Sequence, residues 1–279
     1  GAVDFAGSDA YLQEEEMDQA REVCGPEGAL DIPAYISPIA VAFNLPGIDS
    51  LNMDAATIAR IFRGEIETWN DPAIAGQNPG VDLPDLPVTP VSRADDSGTT
   101  ENFTEYLHDA APDAWQDSPS GSWPGGLGGE NAQGNAGVVS TVTRTEGAVT
   151  YADDSVIDDS MGTVNLLVGE DYVPISAEGA AIAVEQASRV PDRGPHDIAL
   201  HLDRTTTVPG AYPLVLVSYQ IYGSGYEDPN TVEIVNTFGL YVVSDEGQAA
   251  SEDAAKSAPI PASLAEQARE AIESITTLP

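Results

Sequence analysis

The sequence is nearly devoid of lysine, since Lys256 is the single lysine among 279 residues. The chain has 10 basic residues against 46 acidic ones, and its formal net charge is −36. A surface of this charge repels polyanions, which argues against nucleic-acid binding and against attachment to anionic membrane surfaces. Strong acidity with so little lysine indicates a salt-exposed or extracytoplasmic protein. An anion site in this chain would depend on local donors that act against a repulsive overall field.

Cysteine, histidine and long apolar runs are also scarce. Cys24 is the only cysteine, so no disulfide can form within the chain and a buried free thiol is expected. His108, His196 and His201 do not show the spacing of metal ligands, and the sequence predicts no metal site and no cofactor. Because no run of about 18 apolar residues is present, no transmembrane segment is predicted.

Hydrophobic residues follow two kinds of spacing along the chain, one typical of strands and one typical of helices. The hydrophobic fraction is 42%, with 26 glycines and 21 prolines, as in a globular protein with many turns. Buried strands are predicted over 32–44 and 212–222. Amphipathic patterns predict helices over 54–64, over 231–243 and after a capping box at 263–266. In the second of these helices, Val235, Phe238 and Val242 are predicted to face inward. The alternation of strands and helices predicts an α/β fold.

Residues 91–107 are the most informative part of the sequence. One arginine, two aspartates and a Ser-Gly-Thr-Thr run precede an amphipathic helical stripe formed by Phe103, Tyr106, Leu107 and Ala110. Ser97 is predicted to cap this helix, and Gly98 permits close approach of a ligand to the backbone. The first N–H groups of a helix lack partners within it, and the helix dipole favours negative charge there. With the Arg93 guanidinium and the hydroxyl groups of the run, they predict an oxyanion cradle.

Each of these motifs also has a plainer or a rival interpretation. The Ser/Thr pattern occurs in ordinary helix caps, most of which bind nothing. The run Asp96-Ser97-Gly98-Thr99 matches the catalytic loop of aspartic proteases, but those enzymes need two carboxylates that share a proton. No second such loop occurs in the sequence. The glycines over 125–129 lack the lysine and the spacing of a nucleotide-binding loop, and they are interpreted as loop glycines.

Several segments together resemble a known family. They include Asp-Phe-Ala-Gly-Ser-Asp-Ala, Arg-Ala-Asp-Asp-Ser-Gly-Thr and Trp-Pro-Gly-Gly-Leu-Gly-Gly, and they occupy 4–10, 58–64 with 69–72, 93–99, 123–129 and 147–151. In this order they resemble the high-affinity phosphate-binding protein of bacterial ABC phosphate importers. Because the segments extend over nearly the whole chain in the family's order, the resemblance is far more specific than any single motif.

The resemblance implies a two-lobed periplasmic-binding-protein fold of type II. Such a fold has mixed sheets with flanking helices, two crossover strands, and the ligand in the cleft. Residues 1–35 and 212–279 would form the first lobe, and residues 36–211 the second. Crossovers are expected near 35–37 and 211–214.

The resemblance also assigns roles to individual residues. It implies that phosphate is bound by Asp9, Arg93, Ser97, Gly98 and Thr99. Asp9 would accept a hydrogen bond from the phosphate hydroxyl, and Asp95 would orient Arg93 through a salt bridge. The other three would contribute hydroxyl and backbone donors at the helix start. Asp96 stands where the family often has glycine, and its carboxylate would oppose anion binding unless it points away.

The expected function is capture of inorganic phosphate outside the cytoplasm and delivery to the transmembrane subunits of an ABC permease, without catalysis. The protein would be periplasmic or a cell-surface lipoprotein, with its membrane anchor outside this chain. One alternative is a receptor for another oxyanion, such as sulfate or molybdate. A second is an acid hydrolase built on Asp96 and Asp9, although the sequence has no Ser–His pair or metal-ligand cluster to support it. Because a strand pattern already begins at Gly1 and the family has further segments ahead of Asp4, a truncated or processed first lobe is expected.

Overall fold

The computed structural model describes residues 3–25 and 27–278, and the described chain folds into two compact units. The first unit comprises the described parts of 1–37, 184–202 and 217–279, and the second comprises 38–183 and 203–216. Within the described ranges, no helix has both the length and the apolar composition needed to cross a bilayer.

Helices and strands alternate along the chain. The helices are α1 (Glu14–Ala20), α2 (Ala55–Phe62), α3 (Pro72–Ala75), α4 (Gly98–Ala110), α5 (Gly134–Arg144), α6 (Ala177–Glu185), α7 (Pro229–Val242), α8 (Asp245–Ala255) and α9 (Ala262–Glu273). The strands are β1 (Phe5–Ser8), β2 (Ala29–Phe43), β3 (Ser50–Met53), β4 (Thr89–Arg93), β5 (Glu130–Ala132), β6 (Ala148–Asp153), β7 (Gly162–Val168), β8 (Asp171–Val173), β9 (Ser188–Arg189), β10 (Leu200–His201), β11 (Val215–Gly223), β12 (Gly225–Tyr226) and β13 (Thr276–Thr277). The predicted α/β class, with mixed sheets and flanking helices, is confirmed.

The second unit is built on a mixed sheet. The second half of β2 pairs antiparallel with β6 and β7, while β4 lies parallel to β6 and β5. Val91 of β4 is opposite Thr150 of β6, and the Thr150 hydroxyl donates to the Val91 carbonyl oxygen at 2.7 Å. Small and branched side chains fill the core beside α5: Ala40, Ala42, Val91, Val138, Val142, Ala148 and Ala152. This arrangement fixes the end of β4, from which the chain enters α4.

Helix α2 forms where the sequence predicts it and supports α4. Asp54 caps it by accepting the Thr57 N–H at 2.7 Å, and Gly64 follows its end with φ of 73°, a conformation that glycine adopts without strain. Phe62 is buried and meets Phe103 of α4 edge-on, with 4.9 Å between ring centroids. An aromatic pair of this kind contributes about 0.5–1.5 kcal/mol beyond its buried area.

Strands β2 and β11 contribute residues to both units. The division falls between Ser37 and Pro38 in β2, and between Leu216 and Val217 in β11. The predicted strand over 212–222 starts three residues later than expected, at Val215. Pro213 lies just before it and has no N–H for a strand ladder.

Residues 184–202 belong to the first unit, although the sequence prediction included them in a second lobe spanning 36–211. They make hydrogen bonds to the first half of β2 and to other parts of the first unit. The Ile198 N–H donates to the Asp31 carbonyl oxygen at 2.9 Å, and the Asp31 N–H donates to the Asp197 carboxylate at 3.3 Å. The local sequence of the segment is polar and rich in turns, and it does not indicate to which unit the segment belongs. The long-range hydrogen bonds place it in the first unit.

The first unit contains β1, α7 and α9, and it corrects the prediction for one inward-facing residue of α7. The strand pattern that begins at Gly1 forms β1 at Phe5–Ser8, and Gly1 and Ala2 lie outside the described residues. In α7, Val235 is buried as predicted, but Phe238 is 39% exposed. The Phe238 ring lies at the margin of the buried face and stacks on Phe5, with 5.1 Å between centroids.

Helix α9 begins differently from the predicted capping box. Its N-cap is Pro261, without a side-chain cap, and Ser263 lies inside the first turn. The Pro261 carbonyl oxygen accepts the N–H groups of Leu264 and Ala265, each at 2.9 Å. The proline ring fixes the φ angle of Pro261, the residue that precedes the helix. The helix therefore starts without a cap from the Ser263 hydroxyl. The apolar residues Leu264, Ala268, Ile272 and Ile275 are buried.

A buried pair of carboxylates lies in the first unit. Asp31 and Asp197 are 0% and 4% exposed, and both face the Arg193 Nη1, at 3.5 and 3.1 Å. The Leu12 N–H donates to the Asp31 carboxylate at 3.3 Å, while Arg193 donates to the Leu12 carbonyl oxygen. Burial, and then the neighbouring Asp197 charge, raise the pKa of Asp31 to about 8, against the lowering influence of Leu12 and Arg193.

This cluster predicts a decline in stability with rising pH. An unfolded aspartate loses its proton near pH 4, whereas folded Asp31 keeps its proton until about pH 8. The folded state therefore binds more protons across that window, and the stabilising contribution present below pH 4 is lost as pH rises through 8. Asp31→Asn, which mimics the protonated carboxyl group, should flatten the profile of unfolding free energy measured in urea between pH 5 and 8.

Glu273→Gln, at an exposed acid on α9, is the matched control and should leave the slope as in the wild type. Parallel profiles for Asp31→Asn and the wild type would contradict the assignment of a retained proton to Asp31.

Candidate functional site

The connection between β4 and α4 carries most of the predicted site residues. Arg93 is the last residue of β4, and Ser97 is the N-cap of α4. The parallel pairing of β4 with β6 places Arg93 beside Tyr151, whose hydroxyl accepts the Arg93 backbone N–H at 3.2 Å. The sheet therefore holds the strand end and the helix start together, and this part of the candidate site belongs to the second unit.

The Arg93 guanidinium is held on two sides. Its Nε donates to Asp95 Oδ1 at 3.0 Å, its Nη2 donates to Asp95 Oδ2, and its Nη1 donates to Asn135 Oδ1 at 3.0 Å. The side chain is 9% exposed. A guanidinium has five N–H groups, and the other two make no hydrogen bond with the residues that the structure describes. Arg93 therefore has two N–H groups in a fixed orientation that are not used by the described residues.

Asp95 keeps this arginine in place as an ionised partner. Its Oδ1 also accepts the Gly134 N–H at 2.9 Å, at the start of α5. The hydrogen bond from Arg93 holds the pKa of the Asp95 carboxyl well below its usual range, opposed by partial burial and assisted by Gly134. The contact that the sequence predicted between Asp95 and Arg93 is present, and its role in binding stays a prediction. Asn135 is a second anchor that the sequence did not indicate.

Ser97 is restricted to donating toward a ligand. Its Oγ accepts the N–H groups of Thr99 and Thr100, at 3.2 and 3.4 Å. Since both lone pairs are used, only the O–H remains. The Gly98 N–H and the Thr99 hydroxyl have no hydrogen-bond partner in the described part of the chain. Arg93, Ser97, Gly98 and Thr99, which contribute these groups and the two unused Arg93 N–H groups, are the candidate anion site and are called the anion cradle below.

The Thr100 hydroxyl, which the sequence suggested as a further donor, serves another purpose. Thr100 is fully buried, and its Oγ1 shares a hydrogen bond of 2.8 Å with the Tyr151 hydroxyl. Burial raises the pKa of Tyr151 to about 12, while the bond with Thr100 acts to lower it. The pair therefore stays neutral and joins α4 to β6 beneath the cradle.

Asp96 engages the glycine-rich loop that follows. It is exposed, and its Oδ2 accepts the Ser122 hydroxyl at 3.1 Å. Gly121 approaches so closely that an added Cβ would lie 2.3 Å from Asp96 Oδ1. Trp123 then stacks on Tyr151 at 5.5 Å, and the loop and the β4 end enclose a cavity of about 360 Å³. The Asp96 carboxylate is thus partnered by the loop at Ser122.

Asp9, the remaining predicted residue, belongs to the first unit. It follows β1, and its Oδ1 accepts the Ser218 hydroxyl of β11 at 2.7 Å. This bond ties one carboxylate oxygen of Asp9 to β11. The role of Asp9 toward phosphate stays a prediction.

His108 and His196 lie within hydrogen-bond distance of oxygen atoms of other residues. His108 Nδ1 lies 3.2 Å from the Asp117 carbonyl oxygen, and His196 Nδ1 lies 3.1 Å from Glu27 Oε2. Within residues 3–25 and 27–278, no group of three or more His, Cys, Asp or Glu side chains is arranged to hold a metal ion.

Comparison with known proteins places this geometry in a family. The family model described as a PBP superfamily domain matches residues 1–246. The chain is 37% identical over 243 residues to the phosphate-binding protein PstS2 of Mycobacterium bovis, a match that covers 85% of this chain and 65% of that relative. The phosphate-binding protein PstS 3 of Mycobacterium leprae is also 37% identical over 243 residues, with coverage of 85% and 64%.

Solved structures show the same fold. The periplasmic phosphate-binding protein PfluDING has a TM-score of 0.76 at 20% identity, covering 96% of this chain and 78% of that one. The phosphate-binding protein of Stenotrophomonas maltophilia has a TM-score of 0.70 at 19% identity, covering 97% and 79%. These likenesses confirm the predicted type II periplasmic-binding-protein fold.

The match with the curated relatives is partial in length, because the chain spans about 65% of the M. bovis protein. It nevertheless confirms the resemblance predicted from the sequence segments. Since the family model matches 246 of the 279 residues from residue 1 onward, the chain belongs to the PBP superfamily.

Proposed function

We propose that this chain binds inorganic phosphate and delivers it to the transmembrane subunits of an ABC permease, without catalysing a reaction. The observation that carries the proposal is the composition of the anion cradle. Each of its unused groups can donate a hydrogen bond: two Arg93 N–H groups, the Ser97 O–H, the Gly98 N–H and the Thr99 hydroxyl. A tetrahedral oxyanion presents only acceptor oxygens on most of its surface, so this donor set matches it.

Fixed local donors explain how an anion can bind to a chain of net charge −36. The field of distant surface carboxylates is screened over about 8–10 Å at physiological salt. The Arg93 charge and the α4 N-terminus act at contact distance, where hydrogen bonds to an ionised ligand are strongest. Asp95 offsets part of the Arg93 charge but also prevents the guanidinium from sampling other rotamers.

Asp9 supports phosphate rather than sulfate as the ligand. An ionised carboxylate accepts hydrogen bonds and cannot donate them. Phosphate at neutral pH still carries a proton and can donate to Asp9, whereas sulfate cannot. A receptor for another oxyanion is the alternative that shares the same donors, and its ligand would not need this acceptor.

Delivery to a permease and a location outside the cytoplasm are supported by the relatives, which are named as phosphate-binding proteins PstS2 and PstS 3. One solved neighbour is described as periplasmic and another as an ABC-type phosphate transport receptor from Vibrio cholerae. We propose the same setting for this chain, as a periplasmic protein or a cell-surface lipoprotein. The large acidic excess suits exposure to an extracytoplasmic medium.

The proposed function predicts binding without turnover. Equilibrium dialysis against labelled phosphate should show saturable binding of one phosphate per chain, and a chromogenic phosphoester should not be hydrolysed. Turnover that persists in a highly purified sample, and is lost in Asp96→Asn, would support an acid hydrolase instead.

The preference for phosphate over sulfate tests the proposed role of Asp9. We expect the wild type to prefer phosphate over sulfate by roughly a thousandfold, since an acceptor facing an acceptor in a desolvated site costs several kcal/mol. Asp9→Asn, whose amide can donate, should reduce that ratio when both anions are titrated by calorimetry. Asp4→Asn, at an exposed aspartate before β1, serves as the control and should keep the wild-type ratio. An unchanged ratio in Asp9→Asn would show that Asp9 does not select the ligand.

Variants of Arg93 and of its supports, Asp95 and Asn135, test whether Arg93 binds the ligand. Arg93→Ala should weaken phosphate binding by about 2–4 kcal/mol, because a contacting charge is lost. Asp95→Ala and Asn135→Ala should cost less, since the guanidinium remains but loses one of its supports. Arg144→Ala removes an exposed arginine at the end of α5 and controls for the change in net charge. If Arg93→Ala bound phosphate as tightly as Arg144→Ala, Arg93 would not be a ligand.

A further inference from the structure

Arg204 is a buried arginine of the second unit that the anion cradle does not include, with 2% of its surface exposed. Its Nε and Nη2 donate to Glu105 Oε2 at 3.1 and 2.6 Å, and Nη2 also donates to Asn102 Oδ1. Its Nη1 donates to the carbonyl oxygens of Pro213 and Val215, at 2.9 and 2.7 Å. These bonds use all five N–H groups of the guanidinium.

A guanidinium with every donor used has a single orientation. Since an unpaired buried charge is strongly destabilising, the partners and the arginine fix one another. Two partners, Asn102 and Glu105, lie on α4, and two are carbonyl groups at or just before the start of β11. Arg204 therefore holds the side of the helix whose N-terminus forms the anion cradle.

A directional chain of hydrogen bonds connects Arg204 to the cradle. Asn102 accepts from Arg204 and donates through Nδ2 to the Gly98 carbonyl oxygen at 2.9 Å. That carbonyl belongs to the same peptide group as the Thr99 N–H, which donates to Ser97 Oγ at 3.2 Å. Every bond runs in the same sense, from donor to acceptor, and such chains strengthen cooperatively. This chain of hydrogen bonds ends at the Ser97 O–H, which is the donor available to a ligand.

We propose that Arg204 and Asn102 are positioning residues of the anion site, which orient the Gly98–Thr99 peptide and keep Ser97 as a donor. The proposal rests on the proposed function, because the ligand of the cradle is taken to be phosphate. Neither residue touches the ligand in this scheme. They act through the backbone of the first turn of α4, where an error in peptide orientation would misdirect the cradle's donors.

The chain offers a matched pair of variants. Asn102 and Glu105 both hold Arg204, but only Asn102 also contacts Gly98. Asn102→Ala and Glu105→Ala should both lower the unfolding temperature. We expect Asn102→Ala to weaken phosphate binding about tenfold, as for loss of one supporting hydrogen bond in a fixed network. Glu105→Ala should stay within about twofold of the wild type.

Asn102→Ser supplies a rescue that a purely structural role would not predict. A serine hydroxyl in a helix can donate to the carbonyl oxygen four residues earlier, which at this position is that of Gly98. Asn102→Ser should therefore recover most of the affinity lost in Asn102→Ala, although it is too short to replace the Arg204 contact fully. Should Asn102→Ala fail to fold, Arg204→Lys takes its place and should also weaken binding, since an ammonium lacks the planar fork.

The proposal is overturned if Asn102→Ala, or Arg204→Lys in its place, binds phosphate as tightly as Glu105→Ala. The ¹H–¹⁵N signal of Thr99 separates this outcome from failure of the proposed function. If the wild type binds no phosphate, the proposed function is wrong. The positioning role is then judged by whether Asn102→Ala, or its replacement, shifts the Thr99 amide signal while Glu105→Ala leaves it in place. An unshifted signal overturns the positioning role as well.

Discussion

The ion pair between Arg93 and Asp95 is the interaction on which the candidate site depends. In a chain of net charge −36, a mobile arginine would find many carboxylates to pair with. Asp95 and Asn135 instead take three of its N–H groups and aim the other two in a fixed direction. An acidic protein can then hold an anion because the attraction is local and oriented, while the repulsion is distant and screened.

At the helix start beside this arginine, uncharged donors are also held in fixed directions by their neighbours. Ser97 accepts two backbone N–H groups of its own helix, and this use of its lone pairs leaves its O–H as the group with which it can make a further hydrogen bond. The Thr100–Tyr151 bond and the stacking of Tyr151 on Phe103, 4.2 Å between centroids, hold α4 against the sheet. Donors on a rigid element need little reorganisation when a ligand arrives.

Buried charges occur in both units, and their surroundings differ. Arg204 has every N–H group satisfied and one direct anionic partner, Glu105, so it acts as a fixed support. Asp31 shares one arginine with a second carboxylate, so the cluster carries more acid than base and retains a proton. The first arrangement fixes a geometry, and the second couples the stability of its unit to pH.

The sequence by itself determined the features that depend on neighbours within a few residues. The caps at Asp54 and Ser97, the stop at Gly64 and the buried stripe of α4 follow from bonds that span three or four positions, and these were predicted correctly. Arg93, Ser97, Gly98 and Thr99 could be proposed as site residues because they lie together in one short stretch. The family resemblance contributed Asp9, whose role no local pattern indicates.

The tertiary structure alone decided the contacts that join distant parts of the chain. Asn135 lies 42 positions from Arg93, Tyr151 lies 51 from Thr100, and Arg204 lies 102 from Asn102. Polar residues such as these look like surface residues in the sequence, because nothing nearby specifies their partners. Long-range contacts also determine that 184–202 belongs to the first unit and that Phe238 is partly exposed. Local pattern predicts which face of an element is apolar, but the path of the chain determines what that face meets.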